Sequence, residues 1–174
     1  MAPDKTRTIR LQAFVRASPK KVFRAVSEPK RLRRWFVDEA SLTPRKGGGY
    51  AYTWKDGPTH RGKVLEFVRG KRVTLTWQWP GIESELVTKL RFSVEPREDG
   101  TILKLTHSGF PKQEKWVDLY AGAVQGWTYF LVNFKSVLDH DHDLRSPHDW
   151  WAGVPPQEGN CRISSSSARI RGCT

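Results

Sequence analysis

The sequence is short of cysteine, of acidic residues and of long apolar runs, and each shortage excludes something. Only two cysteines occur in 174 residues, Cys161 and Cys173. Both fall beyond every segment with periodic structure, so no disulfide framework braces the core, and a local clip between the two is the one pairing open to them. No stretch approaches the roughly eighteen consecutive apolar residues of a membrane-spanning helix. No hydrophobic segment follows the basic N-terminus either, so no secretory signal is readable and a cytoplasmic location is expected.

Acidic side chains number 18 against 30 Lys and Arg, a formal charge of +12. From Asp141 onward Arg145, Arg162, Arg169 and Arg171 balance Asp141, Asp143, Asp149 and Glu158, so the surplus belongs to residues 1–140. Such a field favours anionic partners. The basic residues come singly or in short pairs between apolar core positions, however, without the clustered stripe of a nucleic-acid reader. No specific nucleic-acid partner is expected.

The usual catalytic signatures are missing as well. There is no Gly-x-Ser-x-Gly elbow, no His-Glu-x-x-His pair and no Cys-x-x-Cys pair. Gly47-Gly48-Gly49 leads into a strand, whereas a phosphate loop needs a helix behind its glycines. Glu66, Glu83 and Glu85 read as solvated rather than as a working carboxylate pair, which needs a defined separation. His140 and His142 alternate with Asp139, Asp141 and Asp143, with His148 nearby, but a segment without regular structure lacks the preformed geometry of a selective metal site. The expectation is no metal, no cofactor and no catalytic residue.

What the sequence has in quantity is aromatic side chains: 8 Trp, 4 Tyr and 8 Phe. They sit in periodic segments. Ile9–Val15 reads as a strand, with Phe14 and Val15 suggesting burial on both faces near its end. Ser18-Pro19 then caps a helix striped by Val22, Phe23 and Val26. A second short helix over Lys30–Phe36 gathers Leu32, Trp35 and Phe36. Five further strands follow, over Tyr50–Trp54, Arg61–Val68, Arg72–Trp79, Leu86–Glu95 and Thr101–Ser108. Glycine-bearing turns link them, as in an antiparallel sheet. From about Glu114 to Leu138, apolar residues recur at spacings of three and four, from Trp116 and Tyr120 through Trp127 to Phe134 and Leu138. That pattern predicts one long helix lying against the sheet.

This order of elements resembles the START-like or Bet v 1-like helix-grip superfamily, and within it the Activator of Hsp90 ATPase homologue 1-like family. The resemblance is carried by VFRAVSEPKRLRRWF at Val22–Phe36, GGGYAYTW at Gly47–Trp54, RGKVLEFVRGKRVTLTW at Arg61–Trp77, HSGFP at His107–Pro111 and GWTYFLVNFKSVL at Gly126–Leu138. It implies an α+β fold in which a curved antiparallel sheet wraps around the long C-terminal helix, with two short helices after the first strand. Residues 1–139 would form that domain and residues 140–174 an irregular C-terminal tail, anchored by Trp150 and Trp151.

The resemblance also implies a cavity between sheet and helix. Strand and helix parity direct Tyr52, Trp54, Trp77, His107, Trp116, Tyr120 and Trp127 toward it. A buried tryptophan must also place its indole N–H on an acceptor, which makes several inward tryptophans awkward as mere filler. The expected function is noncovalent binding of an apolar or aromatic small molecule. Two other readings stand beside it: a cyclase-, aromatase- or hydrolase-like enzyme using the same cavity, and a chaperone-associated interaction domain with a protein partner or a homodimer.

Overall fold

The computed structural model describes residues 6–55, 57–79 and 86–145. The cysteine clip, His148, the anchoring tryptophans Trp150 and Trp151, and Glu83 and Glu85 lie outside the described residues.

The chain runs β1 (Thr6–Val15), α1 (Pro19–Ser27), α2 (Pro29–Leu32), β2 (Glu39–Leu42), β3 (Gly49–Thr53), β4 (Thr59–Val68), β5 (Arg72–Gln78), β6 (Val87–Arg97) and β7 (Gly100–Pro111). A single 3-10 turn at Glu114–Trp116 then leads into α3 (Val117–His140). The strands make one curved antiparallel sheet of seven, ordered β1-β7-β6-β5-β4-β3-β2. This is the helix-grip α+β arrangement.

The expected two-residue repeat appears as burial. Tyr50, Tyr52 and Trp54 face inward, as do Val73, Leu75 and Trp77 of β5 and Leu103, Leu105 and His107 of β7. Against this face α3 buries Trp127, Phe130, Leu131, Phe134, Val137 and Leu138. At the start of α1 the Ser18 hydroxyl accepts the Lys21 amide at 3.3 Å, relieving one of the helix's orphan donors. Trp35, just beyond α2, is clamped between layers: its indole donates to Ala25 O at 2.9 Å, and its own carbonyl accepts from Asn133 of α3 at 2.7 Å.

Several boundaries differ from the sequence reading. β2 is an additional strand: it is a four-residue edge element whose alternation involves only the half-buried Ala40 and Leu42. Phe14 is 38% exposed rather than buried, with the Lys135 ammonium 5.8 Å from its ring centre. β4 begins at Thr59, two residues before Arg61, and so includes His60. The long helix proper starts at Val117, leaving Trp116 in the 3-10 turn.

One irregularity matters for the interior. Between Arg7↔Phe110 and Thr8↔Ser108 the β1–β7 register shifts, so Gly109 is an extra residue in β7, with φ at +98°. Glycine occupies that conformation without a steric penalty. The bulge resets the alternation, so that His107 and Phe110, three residues apart, both face inward with ring centres 4.6 Å apart.

The segment after α3 folds back onto it. Asp141 takes the left-handed conformation that ends the helix, φ 58°, with its N–H on Val137 O at 3.2 Å. Asn133, fully buried, then gathers Asp143 and the Leu144 amide at 2.9 and 2.7 Å. Asp139 accepts from the Arg16 amide and from Lys135. These carboxylates therefore act as clamps. Among the described residues no group of three or more His, Cys, Asp or Glu is placed to hold a metal ion.

Candidate functional site

The sheet's curvature converges β3, β4, β5 and β7 on the N-terminal half of α3, and the side chains that meet there are nearly all aromatic. Trp77 is central. Its ring lies 4.4 Å from His60 in a stacked arrangement, 5.5 Å from Trp127, 5.9 Å from His107 and 6.5 Å from Tyr52. Trp54 joins through His60 at 5.5 Å and through Phe36 at 5.2 Å. Tyr52 and His107 are both 0% exposed and Trp77 is 3% exposed, so the rings fill the space against one another.

Two of the expected wall residues stand apart from this group. Tyr120 touches Phe110 at 5.4 Å and carries the Arg7 guanidinium 5.7 Å from its ring centre, one residue removed from His107. Trp116, half-buried in the 3-10 turn, has the Lys115 ammonium 5.1 Å from its ring centre. Tyr52, Trp54, Trp77, His107 and Trp127 are brought together.

His107 has a fully determined hydrogen-bond environment. The Trp127 indole donates to Nδ1 at 2.9 Å, so Nδ1 is the lone-pair nitrogen and Nε2 carries the proton. Nε2–H donates to Thr88 Oγ at 2.7 Å, and the Thr88 hydroxyl donates onward to Trp77 O at 3.1 Å. The same hydroxyl oxygen accepts from the Trp79 indole at 3.2 Å. Both imidazole nitrogens are thus engaged by the protein. Burial, helped by the neighbouring His60, pushes the His107 pKa down to about 3.

His60 is the second buried imidazole. Its Nδ1–H donates to Gln78 O at 2.7 Å, and its other ring nitrogen has no partner among the described residues. Burial lowers its pKa to about 4, only partly countered by that bond. Burial likewise raises the Tyr50 and Tyr52 hydroxyls above their ordinary value. No Asp, Glu, Lys or Arg of the described residues belongs to the buried core. The interior is therefore uncharged at neutral pH.

Two of its polar atoms are wholly shut off from solvent and orphaned. Trp35, Trp54, Trp79 and Trp127 each place the indole N–H on an acceptor, but Trp77 Nε1 has none. Tyr50 donates to Thr76 O at 2.6 Å, whereas its neighbour Tyr52, with a ring 4.7 Å away, has an unpaired hydroxyl. The one other such atom among the described residues, Arg145 Nη1, sits 4.0 Å from Asp38. A buried donor without an acceptor costs about 1–3 kcal/mol.

Sequence reasoning did not select His60, Trp79 or Thr88. His60 was detectable from the hairpin: the register Thr53↔Thr59 and Tyr52↔His60 is symmetric about a turn that Gly57-Pro58 already signals. Thr88 shares strand parity with Leu90 and Phe92, but nothing local identifies a buried threonine as a hub for two indoles and an imidazole.

Residues 16–139 match the family model described as Activator of Hsp90 ATPase homolog 1-like protein. No curated protein matches the sequence. Among solved structures, protein MLL2253 of Mesorhizobium loti is 24% identical, covering 76% of this chain and 96% of its own, with a TM-score of 0.69. The Aha1 dimer of Colwellia psychrerythraea is 23% identical over 77% of this chain and 97% of its own, with a TM-score of 0.65. CalU16 of Micromonospora echinospora is 22% identical over 82% of this chain and 78% of its own, with a TM-score of 0.60. At these identities the likeness is one of fold.

Proposed function

We propose, since the chain belongs to the Activator of Hsp90 ATPase homolog 1-like family, that its aromatic interior binds a neutral apolar or aromatic small molecule bearing a hydrogen-bond acceptor. The observation that carries this reading is the pair of orphaned donors, Trp77 Nε1 and the Tyr52 hydroxyl, in a core where the neighbouring indoles and the neighbouring tyrosine are satisfied. A carbonyl or ether oxygen supplies what they lack, and aromatic walls bury the rest of the molecule. The ligand is neutral because an ion there would be desolvated without a counter-charge.

Trp54, Trp127 and His60 complete the walls. Trp79, half-buried just beyond the end of β5, is the ring of this group nearest solvent. Because the rings touch one another, entry displaces Trp77 from its neighbours, and tryptophan fluorescence then reports occupancy. His107 contributes by holding Trp127 and Thr88 in place. With both nitrogens already bonded, it has no capacity left to move a substrate proton, which favours binding over turnover.

The test uses 9-fluorenone, a neutral aromatic ketone, against fluorene, the same skeleton without the carbonyl, with calorimetry and fluorescence as readouts. Fluorenone should bind one to one and at least fivefold more tightly than fluorene. Tyr52→Phe should shrink that margin and raise the stability of the ligand-free protein by about 1 kcal/mol, by removing an unsatisfied hydroxyl. Equal affinities for the two compounds, or a margin unchanged by Tyr52→Phe, would defeat the proposal. Native mass spectrometry of gently purified protein supplies the complementary measurement of what co-purifies.

A further inference from the structure

A cleft of about 830 Å³ opens between α1 and the turn joining β4 to β5. Its volume lies within the usual range for small-molecule sites, roughly 300–1,000 Å³. No residue of α3 or of the aromatic interior lines it. The apolar part consists of Phe23 and Phe67, which meet edge to face at 5.6 Å, together with Pro29, Leu42 and Pro44.

The charged part of the lining is unbalanced. Its cations are Lys20, Arg24 and Arg69, and its single acid is Glu28. Glu28 is already committed twice, to Arg24 Nε at 2.6 Å and to Arg31 Nε at 3.1 Å. Lys20 and Arg69 have no hydrogen-bond or ion-pair partner among the described residues. Lys20 is also in an unfavourable place by itself: it lies in the first turn of α1, which contains no acid, where the helix dipole disfavours a cation.

We propose that this cleft binds an amphipathic organic anion, a carboxylate or sulfonate on an apolar body, with Phe23 and Phe67 burying the body and Lys20 and Arg69 receiving the head group. The unpaired cations are the reason for the sign, and the facing phenyl rings are the reason for the body. An anion at this position also offsets the cost of placing Lys20 on the positive end of α1. Because the head group stays near solvent, its share of the affinity is screened by salt.

The full chain is titrated with 1-anilinonaphthalene-8-sulfonate, followed by its fluorescence, and the probe is displaced with dodecanoate or with the neutral dodecanol. Saturable one-to-one binding is expected, with dodecanoate at least tenfold more effective than dodecanol. The double variant Lys20→Glu, Arg69→Glu should lose at least tenfold in probe affinity, Phe67→Ser should also lose affinity, and Tyr52→Phe should change nothing. Both cations are exposed, so the double variant should keep the wild-type circular dichroism and melt no lower than wild type, an acid at position 20 suiting the first turn of α1; if it does not fold, Lys20→Gln and Arg69→Gln singly should each lose about threefold.

Equal displacement by dodecanol, unchanged affinity in the charge-reversed variant, or loss of the probe on Tyr52→Phe, which would place it in the interior, would each overturn the proposal. Sedimentation with phosphatidylserine vesicles that is abolished by the same double variant would also overturn it, by assigning the cleft to a lipid surface instead of a free anion.

Discussion

Trp77 and His107 sit 5.9 Å apart in the same interior and differ in one respect: every polar atom of the histidine ring is bonded, and the indole N–H is not. Truncating Trp77 should therefore show both effects. Trp77→Ala removes a 3% exposed side chain in contact with both buried histidines and should cost about 3–5 kcal/mol in urea denaturation, toward the lower figure because an unsatisfied donor leaves with it. A change below about 0.5 kcal/mol, as for a surface site, would contradict the packing described. The histidines predict an acid transition. Both are held below the unfolded value of 6.5, to about 4 for His60 and about 3 for His107, so through that window the unfolded chain binds more protons. Stability is intact above pH 6.5 and falls as the pH drops, by about 1.4 kcal/mol per pH unit for each ring. Between about pH 5 and 6.5 carboxylates stay ionised in both states, so denaturation midpoints there isolate the imidazoles, and His60→Gln should halve the slope. A flat profile would mean that the rings are not buried neutral. Inward alternation of Tyr52, Trp54, Trp77 and His107 was legible in the sequence because side chains of a strand alternate strictly. Which of their polar atoms find partners was not, because those partners come from strands and a helix far along the chain.

Elements show the same division. The cap at Ser18, the amphipathic stripes and the long C-terminal helix depend on neighbours within four residues, and all are readable. Strand ends and bulges are not, since they are set by the partner strand. Gly109 is the sharpest case: its φ of +98° and its place as the extra residue in β7 are what turn Phe110 and His107 to the same side. Gly109→Ala should destabilise by about 1–3 kcal/mol through backbone strain, since its neighbours leave ordinary van der Waals room for a methyl group. Thermal unfolding would measure it, and a neutral result would show that the bulge does not require glycine. Gly122 is the opposite case: exposed in α3 with nothing within 4 Å of an added Cβ, it should gain about 1 kcal/mol as Gly122→Ala. A loss on the same measurement would reveal a contact made at that point.

The whole molecule carries +12, and the ion pairs among the described residues are mostly surface pairs such as Arg24–Glu28 and Arg72–Glu66. Exposed pairs are individually worth about 0–1 kcal/mol, so repulsion among the surplus cations should outweigh them. Raising ionic strength from about 0.01 to 0.15 M shortens the screening length from about 30 to 8 Å and should raise the melting temperature; a fall would show that the pairs dominate. The order of strands and helices was legible from local periodicity, and the family with its sheet-on-helix architecture from the resemblance of stretches such as Val22–Phe36 and Gly126–Leu138. β2 escaped that reading, being four residues whose strand character is conferred by β3. The mutual packing of the aromatic rings, the saturation of His107, the two orphaned donors and the cationic cleft between α1 and the β4–β5 turn were decided by tertiary structure alone. Each depends on the distance between atoms that the sequence places tens of residues apart, and only the curvature and register of the sheet set that distance.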